Sequence, residues 1–126
     1  MAKHSILVTY NLPSSAIEPL AAVGEADVYR DGVLTKDDLI RRVKGKHALV
    51  VAALDKIDKD VVDAGADLKV ISNVAVGYNN LDVPYARSKG IILTNTPDVL
   101  TDSTANMAMT LILSVTRRIV EGDRLV

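Results

Sequence analysis

Five short apolar runs, separated by helix signals at near-regular spacing, constrain this chain more than any other feature. Ser5–Tyr10 (SILVTY) is almost continuously apolar, as a strand covered on both faces requires. Asp27–Arg30, His47–Ala52, Leu68–Ser72 and Ile91–Thr94 read as four further strands. Between them, Pro13-Ser14-Ser15 opens a helix to about Val23, with Ser14 or Ser15 placed to cap it. Thr35 precedes a helix over Lys36–Val43 whose Leu39, Ile40 and Val43 share a face, and Asp38 stands where a capping box puts its acid. Asp58–Ala64 is a short helix with Val61 and Val62 inward and Gly65 as its C-cap. Asp82 caps Val83–Ser88, Pro84 fits its first turn, and Gly90 closes it. Strands and helices that alternate with short connections predict an α/β fold: a doubly wound, five-stranded parallel sheet with helices on both faces.

Composition narrows the reading. Phe and Trp are both absent, so the core rests on Val, Leu, Ile and Ala, which suits buried parallel strands. The net charge of −1 and the lack of a basic block argue against a nucleic-acid partner. With no cysteine, there are no disulfides, thiol nucleophiles or thiolate metal sites. The N-terminal MAKHSILVTYNLP has too short an apolar run for a signal peptide. No apolar stretch approaches the ~18 residues of a membrane span. The expectation is a soluble, cytoplasmic protein with no membrane association.

The last segment, from Asp102 or Ser103 to about Arg118, reads as the longest helix. Ala105, Met107, Ala108, Met109, Leu111, Ile112, Leu113, Val115, Ile119 and Val120 leave it little polar surface. A helix apolar nearly all round is covered on more than one side. Either it is a core helix with a wide apolar face, or one flank meets a partner; a homodimer through Ala105–Val120 is the expectation.

Catalytic groups are scarce. His4 and His47 read as surface or strand-edge histidines. No serine stands in a GxSxG elbow, Ser72 has no base near it in sequence, and no carboxylate pair has an acid/base setting. GxGxxG and GxxxxGK[ST] are both missing. Asp55, Asp58, Asp60 and Asp63 are interleaved with Lys56 and Lys59 and read as a solvated helix face rather than a metal site. No catalytic residue and no metal ligand is assigned.

Three places remain suggestive. In Val74–Asn80 (VAVGYNN), Gly77 follows a strand; it either only makes the turn or lets backbone N–H groups approach a small carboxylate, as an anion nest does. In Thr94–Asp102 (TNTPDVLTD), Pro97 stiffens a neighbouring loop. Asp102-Ser103-Thr104-Ala105-Asn106 is a helix start rich in hydroxyls, suited either to phosphate or ribose oxygens or to plain N-capping.

These residues also carry a resemblance. The run SNVAVGYNNLDVPYARSKGIILTNTPDVLTDSTANMAMTLILSVTRRIVEGDR resembles the signature region of the D-isomer-specific 2-hydroxyacid dehydrogenases, and is most similar to their glyoxylate/hydroxypyruvate reductase branch. The likeness runs from about Leu68 to Arg124, with weaker motifs before it. It implies a flavodoxin-like substrate domain over residues 1–100 and an interdomain helix over 101–126. The family's Rossmann domain, which holds NAD or NADP and supplies a catalytic Arg, Glu and His, has no counterpart in these residues. In the parent enzyme, a hydride would pass to the 2-oxo carbon of a small 2-oxo acid; this chain alone would be inactive and bind no cofactor. The resemblance places Val76 and Gly77 at the substrate carboxylate, Leu54 and Leu100 along the substrate pocket, and Thr104 near the nicotinamide ribose and phosphate. Two other readings stand beside it: a non-catalytic, free-standing flavodoxin-like domain that self-associates through its apolar C-terminal helix, and a response or flavin module, for which the chain offers no acidic cluster and only 4 Tyr.

Overall fold

The computed structural model describes residues 4–125. They divide into two compact units, up to Thr96 and from Pro97 on. The first unit is a five-stranded, all-parallel sheet built from β1 (His4–Val8), β2 (Gly24–Val28), β3 (Ala48–Ala52), β4 (Val70–Val74) and β5 (Ile92–Thr94), in the order β2-β1-β3-β4-β5. Helices α1 (Ser14–Val23), α2 (Lys36–Arg42), α3 (Lys59–Ala64) and α4 (Val83–Ser88) connect the strands in turn. The fold is the expected flavodoxin-like α/β sheet.

Strand alternation sorts the core. Leu7, Leu49 and Ile71 are in register on one face and are fully buried under Leu39 of α2, Val43 just after it, Val61 and Val62 of α3 and Ala86 of α4. On the other face, Ile6, Val8 and Val50 pack with Ile17 and Leu20 of α1. Along that face the row Val8, Val50, Ser72, Thr94 changes from apolar to hydroxyl, and Thr94 Oγ1 donates to Ser72 Oγ at 3.1 Å. Val74 at the end of β4 and Ile92 on the edge strand β5 are exposed.

The short helices start where local chemistry dictates. Thr35 Oγ1 accepts from Asp38 N–H at 3.2 Å and donates to the Asp38 carboxylate at 2.7 Å. Asp58 and Asp82 cap α3 and α4 through the N–H groups of Val61 and Tyr85. Gly90, at φ 75°, takes the left-handed conformation that ends α4.

Several details depart from the sequence reading; the fourth strand, for one, is Val70–Val74 rather than Leu68–Ser72. The second strand is Gly24–Val28, not Asp27–Arg30, because α1 runs into it without a loop. Gly24 lies against β1 so closely that a Cβ would sit 2.3 Å from the His4 carbonyl oxygen. Neither Ser14 nor Ser15 caps α1; the cap position is Pro13, and both serines lie inside the helix. In the second unit, the long helix is α5 (Thr101–Thr116), followed by a separate α6 (Ile119–Asp123). Arg118 at φ 53° is left-handed, so Ala105–Val120 is not one continuous helix.

Candidate functional site

A parallel sheet gathers its functional loops at the carboxyl ends of its strands, and the switch point here lies between β1 and β3. That crevice is filled by the chain's own side chains. Thr9 Oγ1 donates to Asp55 Oδ2 at 2.5 Å, and the Ala52 N–H donates to the same oxygen at 2.7 Å. Asp55 is only 5% exposed. It is therefore not part of the solvated acidic face with Asp58, Asp60 and Asp63; it bridges the ends of β1 and β3. Among the described residues, the enclosed Tyr10 hydroxyl has no hydrogen-bond partner. Burial, and then the negative charge of Asp55, push its pKa above the usual tyrosine value.

The loop after β4 is built on asparagines. Asn73 is fully buried, and its Nδ2 donates to the Gly77 carbonyl at 2.9 Å. Asn73 and Asn80 also exchange hydrogen bonds, 3.2 Å in each direction. Asn80 Nδ2 reaches the carbonyls of Ala52 at 3.2 Å, at the end of β3, and of Asp55 at 3.1 Å, on the loop that follows. A backbone bridge joins the same two loops: the Ile57 N–H donates to the Asn80 carbonyl, and the Asp82 N–H to the Ile57 carbonyl. From beyond β5, Asn95 Nδ2 donates to the Val76 carbonyl at 2.8 Å. The carbonyls of Val76 and Gly77 are thus both held, whereas the N–H groups of Val76, Gly77 and Tyr78 donate to no acceptor among the described residues.

Gly77 itself is informative. Its φ lies outside the left-handed region, and a Cβ there would meet only Asn79 Oδ1, at an ordinary 3.5 Å. The turn would accept alanine, so what the glycine leaves open is the exposed space above the loop.

The other sequence-derived positions fall as follows. Val76 and Leu54 are exposed, on the two loops that Asn80 ties together. Leu100 and Thr104 lie in the second unit. Leu100 is the exposed residue at which α5 begins, and Thr104 stands in the first turn with its N–H on the Leu100 carbonyl at 2.9 Å. No side chain caps α5, so its hydroxyl-rich start is not used for capping. His4 and His47 meet edge-on at the opposite end of the sheet, 5.5 Å between ring centroids, with His47 Nδ1 accepting from the Ser5 N–H. The sequence placed Asn80 and Asn95 inside the suggestive runs Val74–Asn80 and Thr94–Asp102 without a role for either, and gave no sign of Asn73. Among the described residues, no three His, Cys, Asp or Glu side chains come together as a metal site, and no helix is long and apolar enough to cross a membrane.

A dinucleotide does not fit this sheet. Its pyrophosphate needs a glycine-rich turn leading from the first strand into a helix N-terminus. Here that connection is Thr9-Tyr10-Asn11-Leu12-Pro13, without glycine and with proline, which has no N–H, at the cap.

Comparison with known proteins matches residues 6–121 to the D-isomer specific 2-hydroxyacid dehydrogenase catalytic domain. A 2-hydroxyacid dehydrogenase of Staphylococcus aureus strain USA300 is 44% identical over 121 residues, which are 95% of this chain and 38% of that protein. The crystal structure of the TT0316 protein from Thermus thermophilus superposes with a TM-score of 0.85 at 41% identity, covering 94% of this chain and 38% of that one. The NADPH-dependent glyoxylate/hydroxypyruvate reductase of Sinorhizobium meliloti, in complex with NADP and malonate, gives 0.67 at 30% identity, over 90% of this chain and 34% of that one. The chain spans 38% of the length of the curated relatives it matches.

Proposed function

The chain belongs to the D-isomer specific 2-hydroxyacid dehydrogenase family, and from that premise we propose that it is the substrate-holding part of an NAD(P)-dependent enzyme reducing small 2-oxo acids. Residues 1–100 form the substrate domain in this reading, and 101–126 the segment leading to a cofactor domain. The observation that carries it is the loop at Val76–Tyr78, whose carbonyls are tied down while its N–H groups remain free. Successive free N–H groups make a seat for a carboxylate. Leu54 would line the apolar side of the substrate; for Leu100 and Thr104, in the second unit, substrate and cofactor roles rest on the family resemblance.

The reaction assigned to the whole enzyme is reversible hydride exchange between the nicotinamide and the 2-oxo or 2-hydroxy carbon. None of its proton or hydride transfers is assigned to residues of this chain. Its histidines lie at the wrong end of the sheet, and Asp55 is committed to Thr9 and Ala52. Glyoxylate and hydroxypyruvate are the proposed substrates, a choice supported by the likeness to the Sinorhizobium meliloti reductase. A cytoplasmic location accords with that role.

The test is a titration of the isotope-labelled chain with oxamate, a 2-oxo acid mimic, followed by amide NMR. The Gly77 and Tyr78 N–H signals are expected to move and saturate, with no response to uncharged oxamide. The chain alone is expected not to oxidise NADPH or NADH with glyoxylate; turnover above background, or an unresponsive Gly77, overturns the assignment.

One observation favours self-association as a second reading. Met107, Leu111, Ile112, Leu113 and Val115 of α5 are each more than half exposed, and apolar surface of that kind marks an interface. Light scattering after size exclusion decides it: a clean monomer at tens of micromolar counts against a dimer through α5.

A further inference from the structure

We infer that Asn95, together with the Asn73–Asn80 pair, is a positioning element that turns the N–H groups of Gly77 and Tyr78 toward a bound carboxylate. The inference rests on the carboxylate reading proposed above and adds residues to it.

In a trans peptide the carbonyl and the following N–H point in opposite directions, and the described residues contain no cis bond. Whatever grips the Val76 carbonyl therefore aims the Gly77 N–H the other way, and whatever grips the Gly77 carbonyl aims the Tyr78 N–H. The gripping groups are side-chain amides: Asn95 Nδ2 on Val76 at 2.8 Å, and Asn73 Nδ2 on Gly77 at 2.9 Å.

Both grips come from outside the loop. Asn95 follows β5, and Asn73 lies within β4, where its amide is held in turn by Asn80. An exposed loop bearing a glycine would otherwise sample several orientations of these two planes. Fixing them before a ligand arrives removes an ordering cost from binding. The requirement is for a donor: a carbonyl must be gripped by N–H or O–H. Asparagine and aspartate have nearly the same shape, but ionised aspartate cannot donate.

The experiment uses oxamate and amide NMR on the full 126-residue chain, with Asn95→Ala and Asn95→Asp beside the parent sequence. Asn95 is partly exposed in a loop, so both variants are expected to fold, with melting temperatures within about 4 °C of the parent. Asn95→Ala should weaken oxamate about tenfold, the size of losing one hydrogen bond. Asn95→Asp should weaken it further at pH 7 and regain affinity on acidification, because a protonated acid can again donate to the Val76 carbonyl. Part of that recovery is relief of charge repulsion, so the loss in the uncharged Asn95→Ala is the measure of the grip itself. If the parent chain responds to oxamate and Asn95→Ala binds it equally well, the positioning role is overturned while the carboxylate seat stands. If the parent chain shows no response, the seat itself is overturned, and this inference with it.

Discussion

Asn73 and Asn80 clasp one another through both ends of their amides, each Nδ2 lying 3.2 Å from the other's Oδ1. The pair joins the loop after β4 to the end of β3 and the loop that follows it. Through Asn73 it holds Gly77, and through Asn80 it holds the carbonyls of Ala52 and Asp55. A reciprocal amide pair leaves no polar atom of the buried Asn73 side chain unsatisfied, which is the condition for keeping it inside the fold.

Asn80→Asp should therefore be strongly destabilising. Aspartate at that position makes none of the three donations and sets a negative charge against two carbonyl oxygens. Breaking such a network typically costs about 2–4 kcal/mol. Urea unfolding followed by circular dichroism measures it; a loss under about 0.5 kcal/mol would show that the clasp is incidental.

Gly77→Ala should do the opposite. The φ of Gly77 is open to alanine, and the added methyl meets only Asn79 Oδ1 at 3.5 Å. Stability is expected to stay level or rise by about 0.4–1 kcal/mol, since alanine narrows the unfolded ensemble. Oxamate binding should fall sharply, because the methyl enters the space that a carboxylate would need. The pair of measurements, unchanged melting with lost binding, separates a ligand role for this glycine from a turn-making one.

Much of this was legible in the sequence, for reasons that differ by element. The caps at Thr35 and Asp82 depend on contacts three residues away, so local pattern suffices to find them. The buried strands advertise themselves through Val, Leu and Ile. Gly24–Val28 does not, because Gly-Glu-Ala has little strand propensity and forms a strand only by pairing with His4–Ile6. Asp55 sits among lysines and aspartates and looks solvated, yet its partner Thr9 is 46 residues away. The asparagines were hidden in the same way: a lone Asn is unremarkable until the fold brings residues 73, 80 and 95 around one glycine. The break at Arg118 carries no glycine or proline to mark it.

Stability should fall on acidification below about pH 4. The Thr35 hydroxyl holds the Asp38 carboxyl below its ordinary range, with help from Arg41; Lys36 does the same for Asp58, and Lys89 with Tyr85 for Asp63. A carboxylate with a lowered pKa in the folded state contributes its stabilisation above the unfolded value of about 3.9, and loses it as pH drops through the lower folded value. All three groups are solvent-accessible, so each effect is small and screened by salt. Lys36→Met should raise the Asp58 carboxyl toward its ordinary range, with the Val61 N–H still holding it below, read from carbon-13 carboxyl shifts during titration; an unmoved Asp58 would show that Lys36 is not its main partner.

Tyr10 offers a test at the other end of the scale. Burial and the neighbouring Asp55 raise its pKa, so the neutral phenol is favoured in the folded state. A folded pKa above the unfolded value of about 10 means that the native state holds this proton longer, and that folding loses stability as pH rises above about 10. Of the 4 tyrosines, one is expected to ionise late in a titration followed at the phenolate absorbance. Tyr10→Phe should abolish that late step. The same substitution removes the enclosed hydroxyl that lacks a partner. Relieving an unsatisfied buried group stabilises by about 1 kcal/mol, so Tyr10→Phe is expected to match or exceed the parent in urea. A clear loss would mean that this hydroxyl does useful bonding at the crevice beside Asp55, and that the end of β1 belongs to the site after all.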